Sequence, residues 1–102
     1  MFSRTNPVTN FTNIESININ SNIEYAFPSA HNECLFFILC ATTNKTATIT
    51  FTDVEYTYLN RLHYTRGSYQ YYVYAYYLKS VTSASKFKAV SSDNLTVDIL
   101  YP

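Results

Sequence analysis

This sequence of 102 residues contains one glycine, three prolines, two cysteines and no tryptophan. Each scarcity excludes something. A lone glycine, Gly67, cannot build a glycine-rich loop around a phosphate. Charged residues make up 14% of the chain, against about 25% in ordinary domains. Formal net charge is zero, so the strong basic excess of a general nucleic-acid binder is missing. The longest apolar run, Cys34–Ala41, falls far short of the roughly 20 residues that span a bilayer. The start, "MFSRTNPVTN", has no apolar leader core. An unexported chain without a membrane-spanning helix is the expectation.

The two cysteines, Cys34 and Cys40, are six apart. On one strand they stand about 20 Å from each other, whereas a disulfide needs Cα atoms within about 7 Å. Two buried free thiols are therefore expected. Catalytic groupings are scarce as well. His31 and His63 are the only histidines. His31, Glu33 and Cys34 cluster, but without a metal-ligand spacing. No catalytic residue, metal ligand or cofactor is assigned, and the chain is expected not to be an enzyme.

What is present is aromatic and strand-forming. Hydrophobic residues make up 47% of the chain and aromatics 18%. That suffices for one modest core in a single domain over residues 1–102. Eleven residues are tyrosine, and nine of them lie from Tyr56 to Tyr77. Charge is unevenly spread. Arg61, Arg66, Lys79, Lys86 and Lys88 fall in the stretch Tyr56–Ser92, which has no acid, whereas most acids lie between Phe11 and Glu55.

A short near-repeat suggests an architecture. "FTNIE" at Phe11–Glu15 returns as "FTDVE" at Phe51–Glu55. Thr52-x-x-Glu55 has the spacing of a helix-capping box. Val54, Tyr58, Leu59 and Leu62 then fall on one helical face, and Gly67 stands where a helix stops. This pattern predicts a helix over 53–66. The first copy predicts a second helix by analogy, although "ININSN" is a poor helix former and on its own reads as a strand over Ile14–Ile19. The run at Cys34–Ala41, a turn at Thr43–Lys45 and the alternating Thr46–Phe51 predict a β-hairpin. Ser68–Ser80 and Leu95–Tyr101 predict two more strands, with a short strand or helical turn around 84–90.

The expected fold is therefore α+β. A loose arm, residues 1–10, precedes two similar helix-strand-strand units, 11–51 and 51–102. Together they form a four-stranded, mostly antiparallel sheet with helices on one face. The alternative is an all-β sandwich.

With small Val73 and Ala75 turned towards the helices, Tyr72, Tyr74 and Tyr76 face outwards, extended by Phe36 and Ile38. An exposed aromatic sheet face marks an interface. The expected function is protein–protein interaction, either with a peptide in a groove between the units or by self-association into a homodimer. The alternative is single-stranded nucleic acid, with tyrosines stacking bases and Arg61, Arg66, Lys79, Lys86 and Lys88 holding phosphates.

The "MFSRTNPVTN" start, the Asn/Thr/Tyr skew and the run "YQYYVYAYYL" resemble the small orphan proteins of Acidianus filamentous viruses, the lipothrixviruses of hot acidic springs. The resemblance spans the whole chain and carries no functional residue. It implies a viral protein made in the cytoplasm of an archaeal host, with virion association left open and no established activity.

Overall fold

A computed structural model describes residues 10–42, 47–91 and 95–102. The expected N-terminal arm, apart from Asn10, and the turn at Thr43–Lys45 lie outside the described residues. Those described form eight strands and no helix: β1 (Asn13–Ile19), β2 (Glu24–Ala26), β3 (His31–Thr42), β4 (Thr48–Thr52), β5 (Glu55–Arg66), β6 (Tyr69–Val81), β7 (Lys86–Val90) and β8 (Leu95–Tyr101). They assemble into a five-stranded antiparallel sheet, ordered β1-β8-β3-β6-β5, and a three-stranded antiparallel sheet, ordered β2-β7-β4. The α+β expectation is corrected: the fold is all-β, the architecture that stood as the alternative.

The expected helix over 53–66 is strand β5. Tyr56, Thr57, Tyr58, Tyr64 and Thr65 favour extended backbone. The strand pairs along its length with β6, from Glu55↔Lys79 to Arg66↔Tyr69. Thr52–Glu55 is a tight turn between β4 and β5, with Asp53 at φ 54°, rather than a helix cap. Gly67 sits at φ 62° in the two-residue turn between Arg66 and Tyr69. A helix stop and a hairpin turn both call for positive φ, which is why the same glycine fitted either reading.

The near-repeat does not mark two equivalent units. Phe11–Glu15 leads into β1, an edge of the large sheet, whereas Phe51–Glu55 joins the end of β4 to β5. Residues Asn13–Ile19 follow their own strand propensity. The expected hairpin of β3 with β4 is also absent: β4 belongs to the small sheet and pairs with β7. The strands read at Ser68–Ser80 and Leu95–Tyr101 appear as β6 and β8, and the stretch around 84–90, open between a short strand and a helical turn, holds strand β7.

One core lies between the sheets. From β3 come Cys34, Phe36, Ile38 and Cys40; from β6, Tyr74, Tyr76 and Leu78; from β8, Leu95, Val97 and Ile99. The small sheet contributes Phe87 and Ala89, with Tyr25, Ile49 and Phe51 packed alongside. Phe36 is fully buried. Its ring lies 5.1 Å from Phe51, 5.2 Å from Phe87, 6.1 Å from Phe27 and 6.3 Å from Tyr76, centroid to centroid. Each such ring pair adds about 0.5–1.5 kcal/mol beyond area burial. Cys34 and Cys40 are buried and free of disulfide.

Candidate functional site

Strand pairing fixes which residues share a face, because side chains alternate along each strand. On the core side of the large sheet Phe36 stands opposite Tyr76 and Ile99, and Ile38 opposite Tyr74 and Val97. The other side therefore carries Leu35, Phe37 and Leu39 of β3 and Tyr71, Val73, Ala75 and Tyr77 of β6. One row crosses it as Ile14, Leu100, Leu35, Tyr77 and Thr57. The next is Ser16, Asp98, Phe37, Ala75 and Asn60, and the third is Asn18, Thr96, Leu39, Val73 and Leu62. Tyr71 and Tyr64 continue the face towards the hairpin turn.

This outward face has no layer over it among the described residues. Leu35, Phe37, Leu39, Val73, Ala75 and Leu100 are all only half-buried. Ile14 is 60% exposed, Leu62 61% and Tyr64 54%. Burying such side chains is worth about 25 cal/mol per Å², so an uncovered apolar sheet face of this breadth is the kind of surface that meets a partner. Its borders are polar. Glu33, Lys79 and Glu55 form a charged row across one end, where the Tyr77 hydroxyl donates to Glu33 Oε2 at 2.5 Å. That bond pushes the Tyr77 phenol above its usual pKa. On the β1–β8 flank Ser16 Oγ donates to Asp98 Oδ1 at 2.6 Å.

The partner-binding set expected from sequence lies on the wrong side of this sheet. Phe36 and Ile38 are fully buried, and Tyr74 and Tyr76 are 7% and 8% exposed. Tyr72 is half-buried beneath Arg61, whose guanidinium carbon lies 5.3 Å from the ring centroid. The expectation that Val73 and Ala75 point inwards is reversed. Without helices there is no close-approaching layer to favour small residues, and the core takes the larger rings of Tyr74 and Tyr76.

The five basic residues of the nucleic-acid alternative do not share a surface. Arg61 lies on the core-side parity of β5, and Arg66 on the outward parity beside the turn. Lys79 stands between Glu33 and Glu55. Lys86 and Lys88 alternate with buried Phe87 and Ala89, on the far side of the small sheet.

A second cluster has the composition of a hydrolytic site. Ser29 Oγ donates to Glu15 Oε1 at 2.9 Å and lies 3.1 Å from His31 Nε2, and the same Nε2 lies 3.0 Å from Glu15 Oε1. In a catalytic triad the imidazole uses one nitrogen for the serine and the other for the carboxylate. Here both contacts fall on Nε2, and the serine proton points to the carboxylate, so no activated nucleophile is built. Neighbouring Cys34 is no substitute, since burial and the charge of Glu15 raise its thiol to about 11. A pocket of about 430 Å³ beside this cluster is lined by His31, Glu33, Tyr77, Lys79 and Tyr101 among others.

Among the described residues no helix is long and apolar enough to cross a membrane. The chain thus belongs to the class of two-sheet, all-β proteins with one sheet face left open. Comparison with protein-family models, curated proteins and solved structures finds no match for it. Its functional reading therefore rests on its own geometry.

Proposed function

We propose that the protein is a non-enzymatic interaction module, and that it docks a protein partner on the outward face of its five-stranded sheet. The observation that carries this reading is the incomplete burial of Leu35, Phe37, Leu39 and Val73 in the middle of a sheet, where apolar side chains are ordinarily covered by a second layer. An aliphatic and aromatic surface with a charged border has the make-up of a protein interface: apolar centre and polar rim. The buried Tyr74 and Tyr76 hold the scaffold, and the alternating Val73, Ala75 and Tyr77 on β6 meet the partner.

Site-specific photocrosslinking in the producing cells tests this. With Leu39 replaced by p-benzoylphenylalanine, a protein adduct is expected. With the same group at Thr50, on the polar side of the small sheet, none is expected. Absence of an adduct at position 39, or equal yields at both, contradicts the proposal.

A further inference from the structure

We infer that the occupant of this open face is a second copy of the same chain, packed face to face about a two-fold axis that runs across the strands. The inference rests on the reading that the face docks a protein.

Charge placement on β5 gives the orientation. The β5–β6 register slips between Tyr58 and Asn60, leaving Leu59 as an extra residue. On a regular strand Glu55 and Arg66, eleven residues apart, would point to opposite faces. The bulge brings them onto one face, since Glu55 pairs with Lys79 and Arg66 with Tyr69, both of the outward parity. The face thus has an acid-rich end, with Glu33 and Glu55 flanking Lys79, and a basic end at Arg66. A two-fold axis crossing the strands lays each β5 antiparallel over its copy and sets Glu55 of each chain near Arg66 of the other, twice per pair. The axis passes between the Phe37–Ala75 row and the Leu39–Val73 row, so these apolar rows cover one another. Asp98 meets the Thr96 level of its copy, not another carboxylate.

The area is sufficient. With strands about 4.8 Å apart and same-face residues about 6.7 Å apart, each outward residue covers roughly 30 Å². The three five-residue rows, the Glu33, Lys79 and Glu55 row, and Tyr64, Arg66, Tyr69 and Tyr71 therefore offer roughly 600–700 Å² per chain. A pair buries about 1,300 Å², within the roughly 1,200–2,000 Å² of stable interfaces. Two sheets stacked in this way reproduce ordinary sheet-on-sheet packing, with strands nearly aligned.

Sedimentation velocity over a concentration series, on the full chain, tests the pair. The wild type is expected to associate to twice its 11.8 kDa. Glu55→Arg and Arg66→Glu should each weaken association about tenfold, because each sets like charges together at two places. The double variant should restore it. Both positions are exposed, and circular dichroism checks that the variants stay folded. A wild type that remains monomeric at several hundred micromolar overturns the inference. So does a dimer indifferent to the charge reversals. If the monomeric chain still gives an adduct with a different protein at position 39, the docking-face reading survives without its second copy. With no adduct, both fall.

Discussion

The two outer surfaces of this sandwich are made from the same kind of strand and end up opposite in character. On the small sheet, Phe87 and Ala89 point inwards, leaving Lys86, Lys88, Thr48, Thr50 and Thr52 to face out. That is the polar-out alternation of an antiparallel sheet with one wet side. On the large sheet the central strands β3 and β6 are apolar on both sides, so filling the core leaves Leu35, Phe37, Leu39, Val73 and Ala75 on the outside. A strand buried on both faces is expected to read as a continuous apolar run. Here the run is present, and in the proposed reading the second cover is another molecule.

The core face and the outward face of the large sheet should differ most in what they contribute to stability. Phe36→Ala should lower stability by about 3–5 kcal/mol, the usual loss for a fully buried phenylalanine. Its neighbour Phe37→Ala should lower it by less than about 1 kcal/mol in the dissociated chain. Urea unfolding of both at low concentration measures the gap. Comparable losses would mean that the outer face is already part of the fold.

The next test compares the two outer surfaces directly. Leu39→Lys places an unpaired charge at the centre of the open face. It should weaken association a hundredfold or more, about 3 kcal/mol, without lowering the unfolding temperature of the monomer. Thr50→Lys on the small sheet should change neither. Sedimentation and thermal scans read both variants.

Alkaline titration sharpens the contrast between covered and uncovered sides. Cys34, on the covered side, has its thiol raised from 9.0 to about 11 by burial first and by Glu15 second. Between these values the unfolded chain has lost the thiol proton and the folded one keeps it, so rising pH favours unfolding. Stability should be intact below about pH 9 and fall by roughly 2–3 kcal/mol by pH 11. Cys34→Val should remove that part of the fall, read as the difference between the two pH–stability curves. Tyr76, raised by burial and neighbouring tyrosines, and Tyr77, raised by its bond to Glu33, act in the same direction at higher pH.

The smallest effect concerns the hairpin that carries Tyr64 and Tyr71 to the end of the open face. Gly67→Ala meets no atom within 4 Å, but must hold φ 62°. A loss of about 1 kcal/mol is expected, seen in denaturant melts, with association weakened only slightly.

Some of this was legible in the sequence. The clean alternation of Leu95, Val97 and Ile99 gave β8 its limits and its buried side. The helix over 53–66 failed because its signals were shared. Gly67 suits any positive-φ turn, and Thr52-x-x-Glu55 suits a turn as well as a cap. Tyr and Thr density was the better guide.

The open face could have been placed from an expectation already in hand. Free cysteines are buried, and Cys34 and Cys40 share their parity with Phe36 and Ile38. Burying the thiols places those two residues in the core and turns Leu35, Phe37 and Leu39 outwards. Pairing of β3 with β6 then puts Tyr74 and Tyr76 inside. What sequence could not supply was the Leu59 bulge, since nothing local distinguishes the extra residue. Without the bulge Glu55 and Arg66 do not share a face.

Hydroxyl-radical footprinting across a dilution series tests the central claim most directly. Phe37 and Tyr71 lie on the open face, while Tyr56 and Tyr58, 55% and 52% exposed, lie on the opposite side of the same sheet. As concentration rises, oxidation of Phe37 and Tyr71 should fall several-fold while that of Tyr56 and Tyr58 stays constant. Equal oxidation of Phe37 and Tyr71 at every concentration would contradict the account.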